Sequence, residues 1–206
     1  MLTIHQAEQS CGTLSNPGKM PGRSTSISAE LCHTGSKLRT VPGSVCEGCY
    51  ALSGRYRMPN VRTALDNRYR LLVAARDNPE PWITGMVTLL QHQKHFRWLD
   101  SGDIQGPWHY RLICEVARRT PHVAHWLPSR EYHWIADDEP PPDNLCVRLS
   151  GHMVDGPPPA GFGFPTSTVV SDAGAATCPA QYQGHRCGDC RQCWDKTVQN
   201  VSYPKT

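Results

Sequence analysis

Cysteine is the residue type through which this sequence can do chemistry. Between Cys178 and Cys193 four cysteines fall within sixteen residues, and Cys187, Cys190 and Cys193 recur at every third position. A second, looser group stands upstream, with Cys32 followed by Cys46 and Cys49 as a C-x-x-C pair. The two groups take seven of the ten cysteines, so most of the sulfur is concentrated rather than scattered. Thiolates bind zinc and iron–sulfur clusters because sulfur is soft and carries charge when deprotonated. A C-x-x-C turn curls the chain so that both sulfurs can face one metal centre.

The downstream run C-x-x-C-x-x-C repeats that turn, as do the closely spaced cysteines of bacterial ferredoxins. With Cys178 it offers four thiolates. An iron–sulfur cluster is the expected occupant. Zinc is the alternative, although its four-thiolate sites usually draw on two separated pairs. His185 beside this run reads as a neighbour of the metal loop or an exposed residue rather than as a ligand. The upstream group supplies three local thiolates. A [4Fe-4S] cluster held by three leaves one iron for a substrate or cofactor, and an open position points to chemistry rather than structure. Cys11 is the nearest residue that would close it. A single site shared by both groups is a further alternative. Cys114 and Cys146 fall among apolar residues of a helix and a strand and read as small core hydrophobes.

The remaining composition narrows the class. A chain of 206 residues can bury a core without disulfide staples, so ten cysteines point to metal or redox chemistry in a reducing compartment. The N-terminal segment lacks the basic and apolar regions of a signal peptide, and no apolar run approaches a membrane span. The expectation is a cytoplasmic protein with no membrane partner. A formal charge of +3 gives little bulk attraction to nucleic acid. Arg55, Arg57, Arg62, Arg68 and Arg70 read as a solvated helix face; in the alternative reading, a non-enzymatic zinc protein, they contact phosphates or a host partner.

The elements that must position these cysteines follow from the periodicity. Residues 1–23 read as irregular, 24–28 as a first strand, and 32–58 as a long loop of the kind that is usually functional. Val61, Leu65, Tyr69 and Leu72 form one apolar stripe of a helix from Pro59, and Ile83, Met86, Val87 and Leu90 mark the next. A strand at 95–100, a helix from Pro107, and strands at 122–127, 145–149, 167–170 and 198–203 complete the pattern. The alternation through 59–127 predicts a parallel sheet with right-handed crossovers. Proline-rich later connections make this an α/β fold of the partial (incomplete) β/α barrel kind. It is expected as a single domain: an N-terminal segment 1–58, a β/α core 59–175 and a cysteine-rich segment 176–206. Polar residues recur just past the strands, where α/β folds place their sites. On that ground Asp103, Ser129, Arg130, Ser150 and His152 are the candidate catalytic residues.

At Cys49-Tyr50-Ala51, at Phe96–Asp103 and at the C-x-x-C-x-x-C-W ending, the chain resembles a bacteriophage protein family that is itself similar to radical S-adenosylmethionine (SAM) enzymes. The resemblance implies a partial β/α barrel with a cluster loop after the first strand, in the cytoplasm of the infected bacterial host. In radical SAM enzymes that loop carries C-x-x-x-C-x-x-C, whereas here thirteen residues separate Cys32 from Cys46. It further implies that Asp100, Ser101, Gly102 and Asp103 stand where the second strand would hold the SAM amino group, with Asp103 offering the carboxylate. The partners implied are a small-molecule substrate and a reductase or other electron donor.

Overall fold

The structure is a computed structural model that describes residues 2–205. Six parallel strands lie side by side in chain order: β1 (Arg23–Ser24), β2 (His95–Arg97), β3 (Ala124–Ser129), β4 (Leu145–Val154), β5 (Thr166–Val170) and β6 (Asn200–Pro204). A sheet that never reverses its winding keeps its crossovers on one face, and this one curls into half a barrel. The fold is therefore mixed α/β with a parallel half-barrel sheet, as the alternation predicts.

Helices fill the convex face. They are α1 (Ile4–Cys11), α3 (Pro59–Ala74), α4 (Glu80–Leu90), α5 (Pro107–Arg119) and α6 (Tyr132–Ala136), while α2 (His33–Leu38) is tied to the carboxyl end of β3. The main core lies between them and alternate residues of the sheet, with Phe96, Leu127, Leu145, Val147 and Leu149 facing Met86, Leu90, Ile113 and Val116. α3 and α5 start with proline as the first helical residue, where its missing N–H costs nothing.

Four expectations are corrected here. The N-terminal 23 residues are not wholly irregular. Thr3 and Gln6 form a capping box that starts α1, which packs on α4. The first strand is shorter and earlier than expected. The long segment 32–58 is ordered by α2 and by single 3-10 turns at Tyr50–Leu52 and Gly54–Arg57. Arg68 is not on a solvated face. It is buried, donating Nε to Thr13 O at 2.7 Å and Nη1 to Ser26 Oγ at 2.9 Å.

The concave face carries a second, smaller cluster of Trp126, Cys193 and Val201, with Met20, Cys178, Trp194, Val198 and Tyr203 against it. The cysteine-rich connection between β5 and β6 is thus folded into the hollow of the half-barrel. Arg148, on β4, holds it there. This side chain is fully buried and donates to the carbonyls of Gln192 (2.6 Å), Asp195 (2.7 Å), Val198 (2.9 Å), Thr166 (3.1 Å) and Cys193 (3.2 Å). Trp194 adds an edge-on contact with Trp126 and an Nε1–H bond to Phe96 O at 3.0 Å. Replacing Arg148 by Met strands several buried acceptors, each costing about 1–3 kcal/mol when unpaired. We expect Arg148→Met to lose at least about 3 kcal/mol in urea unfolding and to expose 176–199 to limited proteolysis. A loss under about 1 kcal/mol with an uncut segment would show that the clasp is dispensable.

Candidate metal centre and its surroundings

The upstream cysteines come together at the carboxyl ends of the strands. Cys32 is the residue before α2, whose next turn is tied to the end of β3: Thr34 N and Thr34 Oγ1 donate to Glu131 Oε1 and Oε2 at 2.8 and 2.7 Å. Cys46 lies in a loop docked on the far end of β4. There Ser44 bridges Met153, Val45 N donates to His152 O at 2.8 Å, and Val154 N donates to Gly43 O at 2.9 Å. A turn in which Cys49 N donates to Cys46 O at 3.3 Å places the third cysteine. Gly35 sits between the first two. A methyl group on it would lie 3.6 Å from both Cys32 Sγ and Cys46 Sγ, so these sulfurs are within about 7 Å of each other.

Electrostatics place Asp103 beside this group. Burial pushes the Cys32 thiol up to about 12, and the neighbouring Asp103, Cys49 and Cys46 push the same way, with Arg39 opposing. Burial also raises Cys46, against the charge of Arg130. The sulfurs therefore face a carboxylate and one another, with Arg39 and Arg130 at the edge.

Among the described residues, no three His, Cys, Asp or Glu side chains are grouped closely enough to enclose a single metal ion. Tetrahedral zinc needs thiolates roughly 3.8 Å apart, given Zn–S near 2.3 Å. An iron–sulfur cluster interposes its own irons and sulfides and takes thiolates at wider separations than a single zinc ion does.

The residues expected around the pocket divide. Asp103, Ser129 and Arg130 meet: Ser129 Oγ and Ile104 N donate to Asp103 Oδ1 at 2.6 and 2.8 Å, and Arg130 N donates to Oδ2 at 2.9 Å. Asp103 thus joins the ends of β2 and β3, and its carboxylate already accepts three bonds. The carboxylate that the resemblance would offer to an amino group is thus committed to protein donors. Ser101 Oγ donates to Ile27 O at 2.9 Å, and Gly102, at φ +80°, passes so close to Ile27 that any side chain would collide. These two residues fix the loop rather than present groups to a ligand. Asp100 keeps Oδ1 unpartnered while its carbonyl accepts from Tyr50 Oη at 2.7 Å. Ser150 is shared with Ser167 at 3.0 Å. His152 stacks on Tyr132, with ring centroids 4.8 Å apart, and its Nε2 is buried without a partner.

The downstream cysteines also gather. Cys178 raises the thiol pKa of both Cys187 and Cys193, after burial as the main cause, which places the three near one another; Cys190 acts likewise on Cys187. Cys193 is pushed up to about 11 by burial, while the Tyr203 hydroxyl, 3.1 Å from its sulfur, and Arg148 and Arg97 pull it down. Cys11 joins neither group. It lies within α1 against Gly85 of α4, its thiol donating to Ala7 O at 3.2 Å, and so is not placed to close the upstream site, the alternative for which it is the nearest candidate in sequence. Cys114 and Cys146 are buried in α5 and β4, as core residues should be.

Residues 5–196 match the family model described as gene product 88. The chain belongs to that family. It is a phage-type family, which bears out the bacteriophage part of the resemblance. No curated protein and no solved structure matches the chain. No helix among the described residues is long and apolar enough to cross a membrane. Sequence reasoning missed Glu131, Thr34, Arg97 and Arg148. Arg148 sits in an unbroken buried strand, where a lone charge is the one signal that marked it.

Asp103 gives a pH test. Burial raises its carboxyl to about 6 in the folded chain, while its hydrogen bonds to Ser129, Arg130 and Ile104 and the nearby Glu131 act with smaller effects. A raised folded pKa means the folded state holds its proton longer than the unfolded state does. The resulting stability is present below about pH 4 and lost as pH rises through about 6, by at most about 3 kcal/mol. Asp103→Asn should remove this slope between pH 4 and 6 in denaturant titrations, at an overall cost of about 1–3 kcal/mol for the lost acceptor. An unchanged slope would place the titration elsewhere.

Proposed function

We propose that this protein is a phage-type iron–sulfur enzyme. In this reading Cys32, Cys46 and Cys49 hold a [4Fe-4S] cluster with one iron free of protein thiolate. Cys178, Cys187, Cys190 and Cys193 hold a second cluster or a structural zinc. The observation that carries the reading is the convergence of three thiols, Cys46 buried and Cys32 and Cys49 half-buried, from two separate stretches of loop, at the carboxyl end of a parallel half-barrel. When bound, such a cluster supplies an electron and an open coordination position for a small molecule, SAM or a sulfur compound. The chain's own contribution is placement. Glu131 and the end of β4 fix the two loops, Asp103 locks β2 to β3 behind them, and Arg130 and His152 offer a cation and an unpartnered ring nitrogen at the rim.

The radical SAM comparison is the finer form of this proposal, supported by the half-barrel and by the cluster loop after the first strand. The spacing of Cys32 and Cys46 and the saturated carboxylate of Asp103 count against the usual mode of holding SAM. A second reading, a zinc protein that binds nucleic acid, draws support from Arg55, Arg57, Arg62 and Arg70. All four are exposed and form no ion pair among the described residues, whereas Arg111, Arg118 and Arg119 on α5 are bridged to carboxylates.

Anaerobic purification with iron, sulfide and zinc analysis separates the two. The enzyme reading expects iron and acid-labile sulfide with broad absorption near ~400 nm. Cys46→Ala should lose one site's metal and keep the other. Gly35→Ala, which crowds Cys32 Cβ at 3.0 Å, should lower upstream occupancy alone. Colourless protein carrying only zinc, after iron and sulfide are supplied, would contradict the proposal.

A further inference from the structure

Two arginines have their guanidinium groups withdrawn into the protein, and both are satisfied by oxygen. Arg148 has its five carbonyls and Arg68 its carbonyl and hydroxyl. Arg97, on β2, is different. Its guanidinium lies over the Trp126 ring, 4.6 Å from the centroid, and Nη1 reaches the weak acceptor Met20 Sδ at 3.8 Å. Its Nε–H is buried without a partner, and it forms no ion pair among the described residues. Arg97 is half-buried, and an Nε–H held out of water without an oxygen acceptor is a costly arrangement for a protein to keep.

Two more unpartnered donors stand on the same rung of the sheet. Ser24, Arg97 and Trp126 are register partners across β1, β2 and β3, so their side chains share one face. Ser24 is fully buried with Oγ unpartnered, and Trp126, 5% exposed, leaves Nε1 unpartnered. The rung lies on the concave face, where Trp126 packs with Cys193 and Trp194. Neighbouring strands are about 4.8 Å apart, close enough for three such donors to converge on one group.

We propose that Ser24, Arg97 and Trp126 bind the oxygens of a small anionic group, a carboxylate or a phosphate, in the hollow of the half-barrel. The anion supplies the acceptors that Arg97 lacks. Burial works against the charge of Arg97, yet Tyr50, Asp100, Tyr203 and Cys193 around it hold its pKa above the ordinary arginine value. Asp100 stands near without pairing, and its unpartnered Oδ1 accepts from a donor elsewhere on the same ligand. The bound group would lie between the two cysteine clusters, since Cys49 acts on Tyr56 at one side and Cys193 on Arg97 at the other. None of this depends on which metal the cysteines hold.

The test is thermal unfolding of the full chain with inorganic phosphate, acetate or malonate, against sodium chloride at matched ionic strength. Binding to the folded state alone raises Tm with ligand concentration. We expect a rise beyond the chloride control. The half-saturating concentration should increase at least ten-fold in Arg97→Gln and several-fold in Ser24→Ala and Trp126→Phe, each of which removes one donor. A response to phosphate alone assigns a phosphoryl ligand, and a response to the carboxylates alone a carboxylate. Should Arg97→Gln fail to fold, the two milder variants decide. No rise over chloride, or an equal rise in the wild type and every folded variant, overturns the proposal and leaves ordered water as the partner of the rung.

Discussion

A guanidinium removed from water at Arg148, with no ion pair, is tolerable because five main-chain carbonyls surround it. That single constraint organises the downstream half of the molecule. Four of the carbonyls come from residues 192–198, a stretch with no helix or strand of its own beyond a single turn at Gln192–Trp194. A segment so short of regular structure does not satisfy its own backbone, and Arg148 supplies the donors it lacks. The same contacts set Cys193 against Tyr203 and seat Trp194 on Trp126. The concave face of the half-barrel, open in the bare sheet, becomes the floor on which the cysteines rest.

The two cysteine groups sit in contrasting fields. Cys193 has two arginines and a hydroxyl drawing its pKa down against burial. Cys32 has burial, a carboxylate and two other thiols all pushing up, with Arg39 alone opposing. Closely set thiols beside a carboxylate do not ionise together unprompted, because each negative charge raises the cost of the next. A cation arriving from solution reverses that balance and displaces the protons. The upstream arrangement is therefore unfavourable as a set of free thiolates, a cost that a bound cation would lower.

Much of the fold could be read in the sequence because periodicity reports burial directly. The stripe of α3 and the strand–helix alternation through 59–127 gave the parallel order, and the proline-rich later connections matched the loss of helices after β4. What was missed lies where local signals are short. α1 is an amphipathic helix in a segment judged by its glycines and prolines, and β1 has two residues, too few for a pattern. Both cysteine groups were legible because thiol spacing is a local property. The clamps that position them were not. Thr34 to Glu131, Asp103 to Ser129 and Arg148 to residues 192–198 join chain positions 26 to 97 residues apart. Asp103 shows the limit most clearly: its place after β2 was legible, but the three donors that occupy it come from the fold.

The central claim is that the upstream site presents an iron without a protein thiolate while the downstream site is closed. Electron paramagnetic resonance of the chemically reduced, anaerobically purified protein addresses it directly, with sulfide or SAM added in turn. The account predicts one signal that shifts on addition of at least one of them and is absent from Cys32→Ala. Any second signal should be indifferent to both additions and survive in that variant. A spectrum unchanged by either addition, together with a fourth protein ligand found on the upstream iron, would contradict the account and leave a cluster that is structural or passes electrons.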